Sequence, residues 1–344
     1  MAPLAVLGAT GYTGRLVCTE ARRAGVPLRL VGRNERKLGR LAREGEEVRV
    51  ADARDEAALV AAFDGAFAVV SLAGPFLERG FGPLSGAIAV GAHYLDSTGE
   101  PGFARRVYDE FSAPARARGV VLLTAFGFDY VPGDLAARLA AEGLEPLDEL
   151  VVGYSVSGVG TSRGTRKTMS TLAGEPHYAW MDGNLVESRF GETTRRIAFP
   201  FGERDAVEWQ GTEPLTVPRH TDVRHVRSYL RVPAAGAAAK VAPLARLGKP
   251  LLRAFAGVGG DGPSEADRRK SRFAVVAEAR GPQGDRRVAV TGSDPYGLTA
   301  LLLVRGAQAL AAGEAVGAGA LAPAEAFDAR TFAERLSPLL RVEL

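Results

Sequence analysis

Three glycines near the start of the chain have the spacing of a phosphate-binding turn. Gly8, Gly11 and Gly14 follow a short apolar run, 4–7, and precede a helical pattern over 15–23. Glycine permits the tight turn and lets bare backbone approach a pyrophosphate, while the N-terminus of the following helix faces the phosphate charge. The commonest motif has one residue between its first two glycines, and this chain has two. The order of strand, turn and helix predicts a dinucleotide site, with contacts expected from Gly8, Thr10, Gly11, Tyr12, Thr13 and Gly14.

A basic residue follows the second predicted strand. That strand spans 28–32, and Arg33, Asn34 and Lys37 come after it. An acid at this strand end would bind the 2′-hydroxyl of NAD, whereas an arginine can pair with the 2′-phosphate of NADP. The sequence therefore predicts NADP(H) as the cofactor, bound in part by these three residues. The alternative is an arginine that is simply exposed at a strand end.

Further strand ends are expected at the same edge of the sheet. Strands are predicted at 47–51, 66–72, 92–100 and 120–125. Ligands of parallel sheets bind beyond the carboxyl ends of the strands, so the residues there are candidate contacts. The acid after the first of these strands could equally cap the next turn, and the residues after the second could form a simple loop. The predicted cofactor contacts are Asp52, Ala73, Gly74, Pro75, Gly99 and Phe128.

Acid–base chemistry has few candidates. No tyrosine is followed by a lysine four residues later, which excludes the Tyr–Lys pair of short-chain dehydrogenases, and the four histidines lack the spacing of metal ligands. Asp129 and Tyr130 come from the loop after 120–125, and Lys167 comes from the second half; these three are the predicted catalytic residues. The alternatives are a loop-bracing role for Asp129 and a solvated Lys167. Reduction of a polarised double bond needs little beyond orientation and oxyanion stabilisation, so a weak acid is compatible with enoyl or imine reduction.

Six strand–helix alternations in the first 145 residues predict an α/β fold with a Rossmann-type, doubly wound parallel sheet. Asp134 is expected to cap a helix over 135–142. From Asp148 the pattern becomes α+β, and a long helix from 295 to about 312 is expected to return to the first domain. The predicted domains are 1–147, 148–293 and 294–344. The second-half predictions are strands at 150–156, 185–190, 194–199, 215–217 and 224–232, a helix at 162–173, and a hairpin of 271–281 and 284–292.

Composition narrows the class of partner. Across 344 residues the formal net charge is only +3, so no nucleic-acid partner is expected. A single cysteine, Cys18, indicates a reducing compartment, and with no signal peptide or membrane-spanning run we expect a cytoplasmic protein. Segment 234–256 mixes apolar and basic residues, which is typical of a membrane-surface contact or a lid over an apolar substrate, with a kinked surface helix pair as the alternative. A homodimer is a further expectation.

Eight motifs span nearly the whole chain: 8–14, 32–34, 73–76, 93–100, 127–134, 162–165, 262–265 and 292–300. Together they resemble the saccharopine dehydrogenase-like reductases, in particular the bacterial branch of trans-acting enoyl reductases. The resemblance implies an NADP-dependent oxidoreductase that reduces an enoyl group on a polyketide- or lipid-derived, small or carrier-bound substrate. Two alternatives remain at this point: an imine or carbonyl reductase acting on a small metabolite, and a cofactor-binding scaffold without catalysis.

Overall fold

The first half of the chain supplies six strands of a seven-stranded parallel sheet, and a short strand at Gly319–Ala320 supplies the seventh. The structure is a computed structural model and describes residues 2–158, 160–162, 166, 176–232 and 260–343. In sequence, the strands are β1 Leu4–Leu7, β2 Leu28–Gly32, β3 Glu47–Val50, β4 Ala68–Ser71, β5 His93–Asp96, β6 Val121–Leu123 and β15 Gly319–Ala320. Across the sheet they run β15-β6-β5-β4-β1-β2-β3. This order reverses direction beside β1, which is the switch point where doubly wound sheets bind ligands.

Helices connect these strands, and their apolar faces cover the sheet. They are α1 Tyr12–Arg23, α2 Glu35–Leu41, α3 Glu56–Phe63, α4 Phe76–Arg79, α5 Phe81–Val90, α6 Pro101–Arg106, α7 Ser112–Ala117 and α8 Val131–Ala141, with a π-helical turn at Val107–Phe111 between α6 and α7. In α1 the buried residues Gly14, Val17, Cys18 and Ala21 recur at helical spacing. This single apolar stripe fixes which side of α1 faces β1.

The second half forms a mixed sheet around a long central strand. The strands are β7 Leu147–Ser157, β8 His177–Met181, β9 Asn184–Ser188, β10 Thr194–Phe199, β11 Gly202–Glu208, β12 Val223–Arg231, β13 Arg272–Gly281, β14 Gly284–Ser293 and β16 Leu340–Glu343. The main path runs β10-β11-β12-β7-β13-β14-β16, and β8 and β9 attach beside β12. The described helices of this half are α9 Glu213–Thr216, α10 Glu265–Lys270, α11 Pro295–Ala311, α12 Pro323–Ala326 and α13 Ala329–Glu334. The predicted hairpin is confirmed as β13 and β14.

The two halves share one apolar core. Helix α8 lies against β13 and β14 of the second sheet, and α11 packs on α1 and β5 of the first. Gly306 of α11 allows a close approach, since a Cβ there would lie 2.7 Å from the Phe126 ring. The α/β fold, with its second mixed sheet and its returning C-terminal helix, is therefore confirmed.

Two local predictions are wrong, and prolines explain both. The strand expected at 215–217 is replaced by α9 and a 3₁₀ turn, Val217–Arg219. Pro214 and Pro218 lack an N–H for a sheet and favour the first turn of a helix. The helix expected to start after Asp134 begins at Val131, with proline again in its first turn. Asp134 therefore lies inside the helix, where its carboxylate binds His220 at 3.0 Å and the N–H of Ala324 at 2.8 Å.

Parts of two other predictions lie beyond the described residues. Of the helix expected over 162–173, the structure describes only Ser162 and Arg166, and Lys167 lies outside. The segment 234–256 lies wholly outside. Among the residues that the structure does describe, no helix is long and apolar enough to cross a membrane.

Candidate functional site

The glycine turn is built by backbone packed directly on backbone. Gly8 has a φ of +84°, which side chains rarely adopt. A Cβ on Gly14 would lie 2.2 Å from the carbonyl oxygen of Gly8, so any larger residue would force α1 away from β1. The exposed Gly11 is the N-cap of α1 and has no side chain to cover the first turn. Bare backbone at a helix N-terminus fits the pyrophosphate of a dinucleotide.

The side chain of Tyr12 is engaged by a distant segment. Its hydroxyl donates to the carbonyl of Pro263 at 2.7 Å, and its ring meets Tyr296 edge-on with 5.1 Å between centroids. A Cβ on Gly262 would lie 2.5 Å from the ring, so glycine is needed for this approach. Because the side chain of Tyr12 is engaged elsewhere, Tyr12 can contact a cofactor in the turn through its backbone, as the glycines can.

The end of β2 presents exposed cations. The Arg33 guanidinium lies 3.8 Å from the Asp52 carboxylate, with 70% of its side chain exposed. An ion pair this exposed contributes little to stability. The guanidinium can therefore bind a phosphate instead at small energetic cost. Asn34 caps α2 by accepting the N–H of Lys37, whose side chain is exposed. Asp52 accepts the N–H of Arg54, which is the capping role that the sequence left open as the alternative to a cofactor contact.

Glu100, which the sequence did not identify as a site residue, holds the loop after β4. Its buried carboxylate accepts the N–H of Phe76 at 2.8 Å and that of Leu77 at 2.9 Å. The predicted contacts Ala73 and Gly74 lie just before these residues and are half-buried. Pro75 is buried, and Gly99, beside Glu100, is half-buried. A glutamate before a proline-initiated helix was the available signal, but the sequence could not give its partners at the start of α4.

The buried carboxylate of Asp96 connects the segments that follow β5 and β6. Its Oδ1 accepts the N–H of Thr98 at 2.8 Å and that of Ala125 at 3.0 Å. Burial raises the pKa of Asp96 to about 6, against the lowering effect of these hydrogen bonds. Because Ala125 opens the loop that carries Asp129 and Tyr130, Asp96 fixes where that loop leaves the sheet.

The structure separates the two predicted acids of this loop. Asp129 is exposed at the carboxyl edge of the sheet, and the surrounding protein nevertheless desolvates its carboxyl and raises its pKa to about 6. Tyr130 is buried, and its hydroxyl donates to the carbonyl of Gln210 at 3.3 Å. Burial, followed by the nearby charge of Asp129, raises the pKa of Tyr130 far above 10. Asp129 is therefore the acid that is open to a ligand. Phe128, a predicted cofactor contact, is buried with its ring 4.8 Å from that of Phe273.

Behind Tyr130 lies a buried acid that sequence reasoning missed. Glu213 accepts hydrogen bonds from the hydroxyl of Tyr154 and, at 2.6 Å, from that of Ser228. Burial raises the pKa of Glu213 to about 7, although both hydrogen bonds act to lower it. The Tyr154 hydroxyl also lies 3.4 Å from the carbonyl oxygen of Tyr130. The two partners of Glu213 come from β7 and β12, and Tyr154 extends the cluster to the 125–130 loop, so no local sequence pattern could predict it.

Other parts of the molecule offer less to a ligand. In the portion of the chain covered by the structure, no group of three histidine, cysteine, aspartate or glutamate side chains could hold a metal ion. Two open concavities, of about 570 and 460 Å³, lie on the second sheet and its turns, around Arg280 and Asp148 respectively. Neither is lined by residues of the glycine turn or the 125–130 loop. The candidate site is therefore the crevice at the carboxyl ends of the parallel strands, between the glycine turn and the 125–130 loop.

Comparisons with known proteins indicate the class of cofactor and the relatives of this chain. Residues 8–145 match a family described as NAD(P)H-binding. A trans-acting enoyl reductase of Mycobacterium ulcerans is 30% identical over 216 residues, covering 57% of this chain and 50% of that protein. A saccharopine dehydrogenase-like oxidoreductase of Bos taurus is 29% identical over 152 residues, covering 38% of this chain and 35% of that protein. The resemblance seen in the motifs is thereby confirmed.

A solved structure extends the likeness to the whole fold. Saccharopine dehydrogenase from Saccharomyces cerevisiae superposes over 100% of this chain and 99% of its own, with a TM-score of 0.66 and 12% sequence identity. At that identity the likeness concerns the fold alone. The chain spans half or less of the length of the two curated relatives named above.

Proposed function

We propose that this chain, a homologue of the trans-acting enoyl reductases and saccharopine dehydrogenase-like oxidoreductases, is an NADP(H)-dependent reductase. One observation carries the proposal: the bare glycine turn and the open carboxyl of Asp129 lie at the same edge of one parallel sheet. Hydride transfer and proton transfer must reach neighbouring atoms of a substrate, so the two functions need this shared edge.

The choice of NADP(H) over NAD(H) rests on the end of β2. Arg33 and Lys37 are exposed there, and the nearest acid, Asp52, accepts a backbone N–H through one oxygen and faces Arg33 with the other. An arginine paired loosely at the surface can exchange that carboxylate for a 2′-phosphate. NAD(H) would place an uncharged ribose hydroxyl beside the Arg33 guanidinium, which binds a phosphate more strongly than a hydroxyl.

The reaction proposed is reduction of a conjugated C=C bond in a polyketide- or lipid-derived substrate. Bound NADPH supplies the hydride, which the β-carbon of the substrate accepts. Asp129 donates the proton to the α-carbon, and the resulting carboxylate regains a proton from solvent. Its raised pKa of about 6 supports the donor role, because the carboxyl keeps its proton to a higher pH than an ordinary aspartate. The names of the relatives support the enoyl class.

A proton from Asp129 would serve an imine nitrogen or a carbonyl oxygen equally well. Assays with different substrates must therefore distinguish enoyl reduction from imine and carbonyl reduction. Purified protein would be titrated with NADPH and NADH by fluorescence and then mixed with enoyl-thioester, imine and ketone panels while NADPH oxidation is followed. We expect tighter NADPH binding and oxidation with enoyl thioesters. Tighter NADH binding would contradict the cofactor assignment, and binding without oxidation would favour a scaffold.

The proposed setting of this activity is the cytoplasm, with a homodimer and an apolar or carrier-bound substrate as the expected partners. A lid or lipid-contact role for 234–256 belongs to the same proposal. Removal of that segment should weaken turnover of long-chain enoyl substrates more than that of short ones. Equal losses for both chain lengths would argue against the lid.

A further inference from the structure

Thr299 links the C-terminal helix α11 to the loop that carries Asp129. Its Oγ1 accepts the backbone N–H of Phe128 at 3.1 Å and donates to the carbonyl of Pro295 at 2.9 Å. The first of these bonds joins residues 171 positions apart in the chain. A side-chain hydroxyl that is oriented by its own helix thus presents a fixed acceptor to the loop.

Two backbone hydrogen bonds of the loop lie within the loop itself. The N–H of Gly127 donates to the carbonyl of Ala125 at 2.9 Å, and the N–H of Tyr130 donates to that of Gly127 at 3.3 Å. Among the longer-range contacts, the Asp96 carboxylate accepts the N–H of Ala125 and the Asp96 carbonyl accepts that of Phe126 at 2.7 Å, both at the start of the loop. Thr299 accepts the N–H of Phe128 just before Asp129, and the Tyr130 region has its own contacts to Gln210 and Tyr154. Asp96 and Thr299 therefore fix the loop on either side of Gly127.

Packing around Thr299 leaves it little freedom. Gly127 packs beside it, since a Cβ there would lie in van der Waals contact with the methyl group of Thr299 at 3.4 Å. The N-terminus of α11 is itself held by Asp294, which accepts the N–H of Gly297 at 2.8 Å. Asp294 also pairs with Arg268 at 2.9 Å, and both side chains are only 12% exposed. Thr299 therefore lies near a helix N-terminus that is itself held by the nearly buried Arg268–Asp294 ion pair.

We propose that Thr299 is a positioning residue for reduction: through the Phe128 N–H it orients the adjacent Asp129 carboxyl toward the substrate. The inference rests on the proposed function, in which Asp129 is the proton donor. Both hydrogen bonds of Thr299 join it to backbone, so we expect it to affect the rate of proton transfer and not the affinity for the cofactor. It also gives a role to the motif at 292–300, which the glycine turn and the acid loop leave unexplained.

Three variants separate positioning from mere structure. T299V keeps the shape of the side chain and removes the acceptor, whereas T299S keeps the acceptor and removes the methyl group. T19V is the matched control, because Thr19 donates to the carbonyl of Arg15 at 2.8 Å in the same i−4 pattern but is exposed on α1. If T299V fails to fold, T299A carries the same expectation, since it also lacks the acceptor.

For T299V we expect kcat to fall roughly 10- to 100-fold, as misplacement of a catalytic group does, with the Kd for NADPH unchanged. The limb of the pH profile assigned to Asp129 should shift, and amide hydrogen exchange should accelerate in the peptide spanning 125–131. T299S and T19V should behave as wild type. A T299V protein with wild-type kcat and pH profile would overturn the proposal, as would equal losses in T299V and T299S.

The design also distinguishes this inference from the proposed function. If the wild-type protein oxidises NADPH with none of the substrates, the proposed function fails, and hydrogen exchange alone judges the contact. Faster exchange at 125–131 in T299V but not in T299S then supports loop positioning by Thr299. Unchanged exchange in T299V overturns it.

Discussion

At the glycine turn the close contacts join backbone atoms of neighbouring residues, whereas the loop that carries Asp129 is held by side chains from other elements. Gly14 packs on the backbone of Gly8 and Ala9 within one turn. Asp129, in contrast, depends on Asp96 from β5 and Thr299 from α11. In this crevice, the backbone packing of the glycine turn is thus set by neighbouring residues. The position of the Asp129 loop is set by residues that are distant in the chain. Substitutions should therefore affect binding at the glycine turn and turnover at the Asp129 loop.

The largest effect is expected from G14A. The new methyl group would lie 2.2 Å from the carbonyl oxygen of Gly8, so α1 must move and the turn must open. We expect NADPH affinity to fall by about 100-fold or more, since the pyrophosphate contacts depend on this turn. Fluorescence titration measures the change. G39A is the control, because Gly39 lies in α2 with no atom near its Cβ position; it should bind NADPH as wild type does.

On the other side of the crevice, D129N should spare binding and reduce turnover. An amide cannot donate the proton, and loss of a general acid typically costs about 10²- to 10⁴-fold in rate. The exposed aspartate Asp148 supplies a control in D148N, which should leave kcat unchanged. NADPH affinity should be the same in both variants. A D129N protein with normal kcat would remove Asp129 from the mechanism.

The pH dependence of kcat sharpens the assignment. Desolvation raises the pKa of Asp129 to about 6, so the donor is protonated below that pH and loses its proton above it. The rate should therefore decline as pH rises through about 6 in the wild type, and D129N should lack this limb. A limb that persists unchanged in D129N would belong to another group.

A moderate effect is expected at the end of β2. R33A should weaken NADPH binding by roughly 10- to 100-fold, the worth of a charge-assisted phosphate contact, and leave NADH binding nearly unchanged. R40A, which removes an exposed arginine from the last turn of the following helix α2, is the control. Equal losses for the two cofactors in R33A would refute the phosphate role.

The smallest effect concerns stability and tests the buried cluster. The pKa of Glu213 is raised to about 7 in the folded protein, above its value of about 4.3 in an unfolded chain. The folded state therefore holds the proton more tightly, and this group's contribution to stability falls as pH rises from about 4.3 to about 7. Chemical denaturation across that range should show a flatter pH dependence for E213Q than for the wild type. Identical slopes would mean that Glu213 ionises normally.

The same contrast between local and assembled geometry explains what the sequence could predict. The glycine turn, the order of strands and helices in the first sheet, and Arg33 at a strand end all follow from short stretches of residues. Glu100, Glu213 and Thr299 could not be assigned, because their partners lie 23 or more, 15 or more and 171 positions away. Asp134 was misassigned for a related reason: its partner His220 comes from the second half of the chain.

The most direct test of the account is NADPH oxidation by the wild-type protein and by D129N, mixed with an enoyl thioester at pH 6. The account predicts oxidation and a saturated product with the wild type, and slow oxidation with D129N despite equal NADPH binding. Tight NADPH binding without oxidation of any enoyl, imine or ketone substrate by the wild type would contradict it.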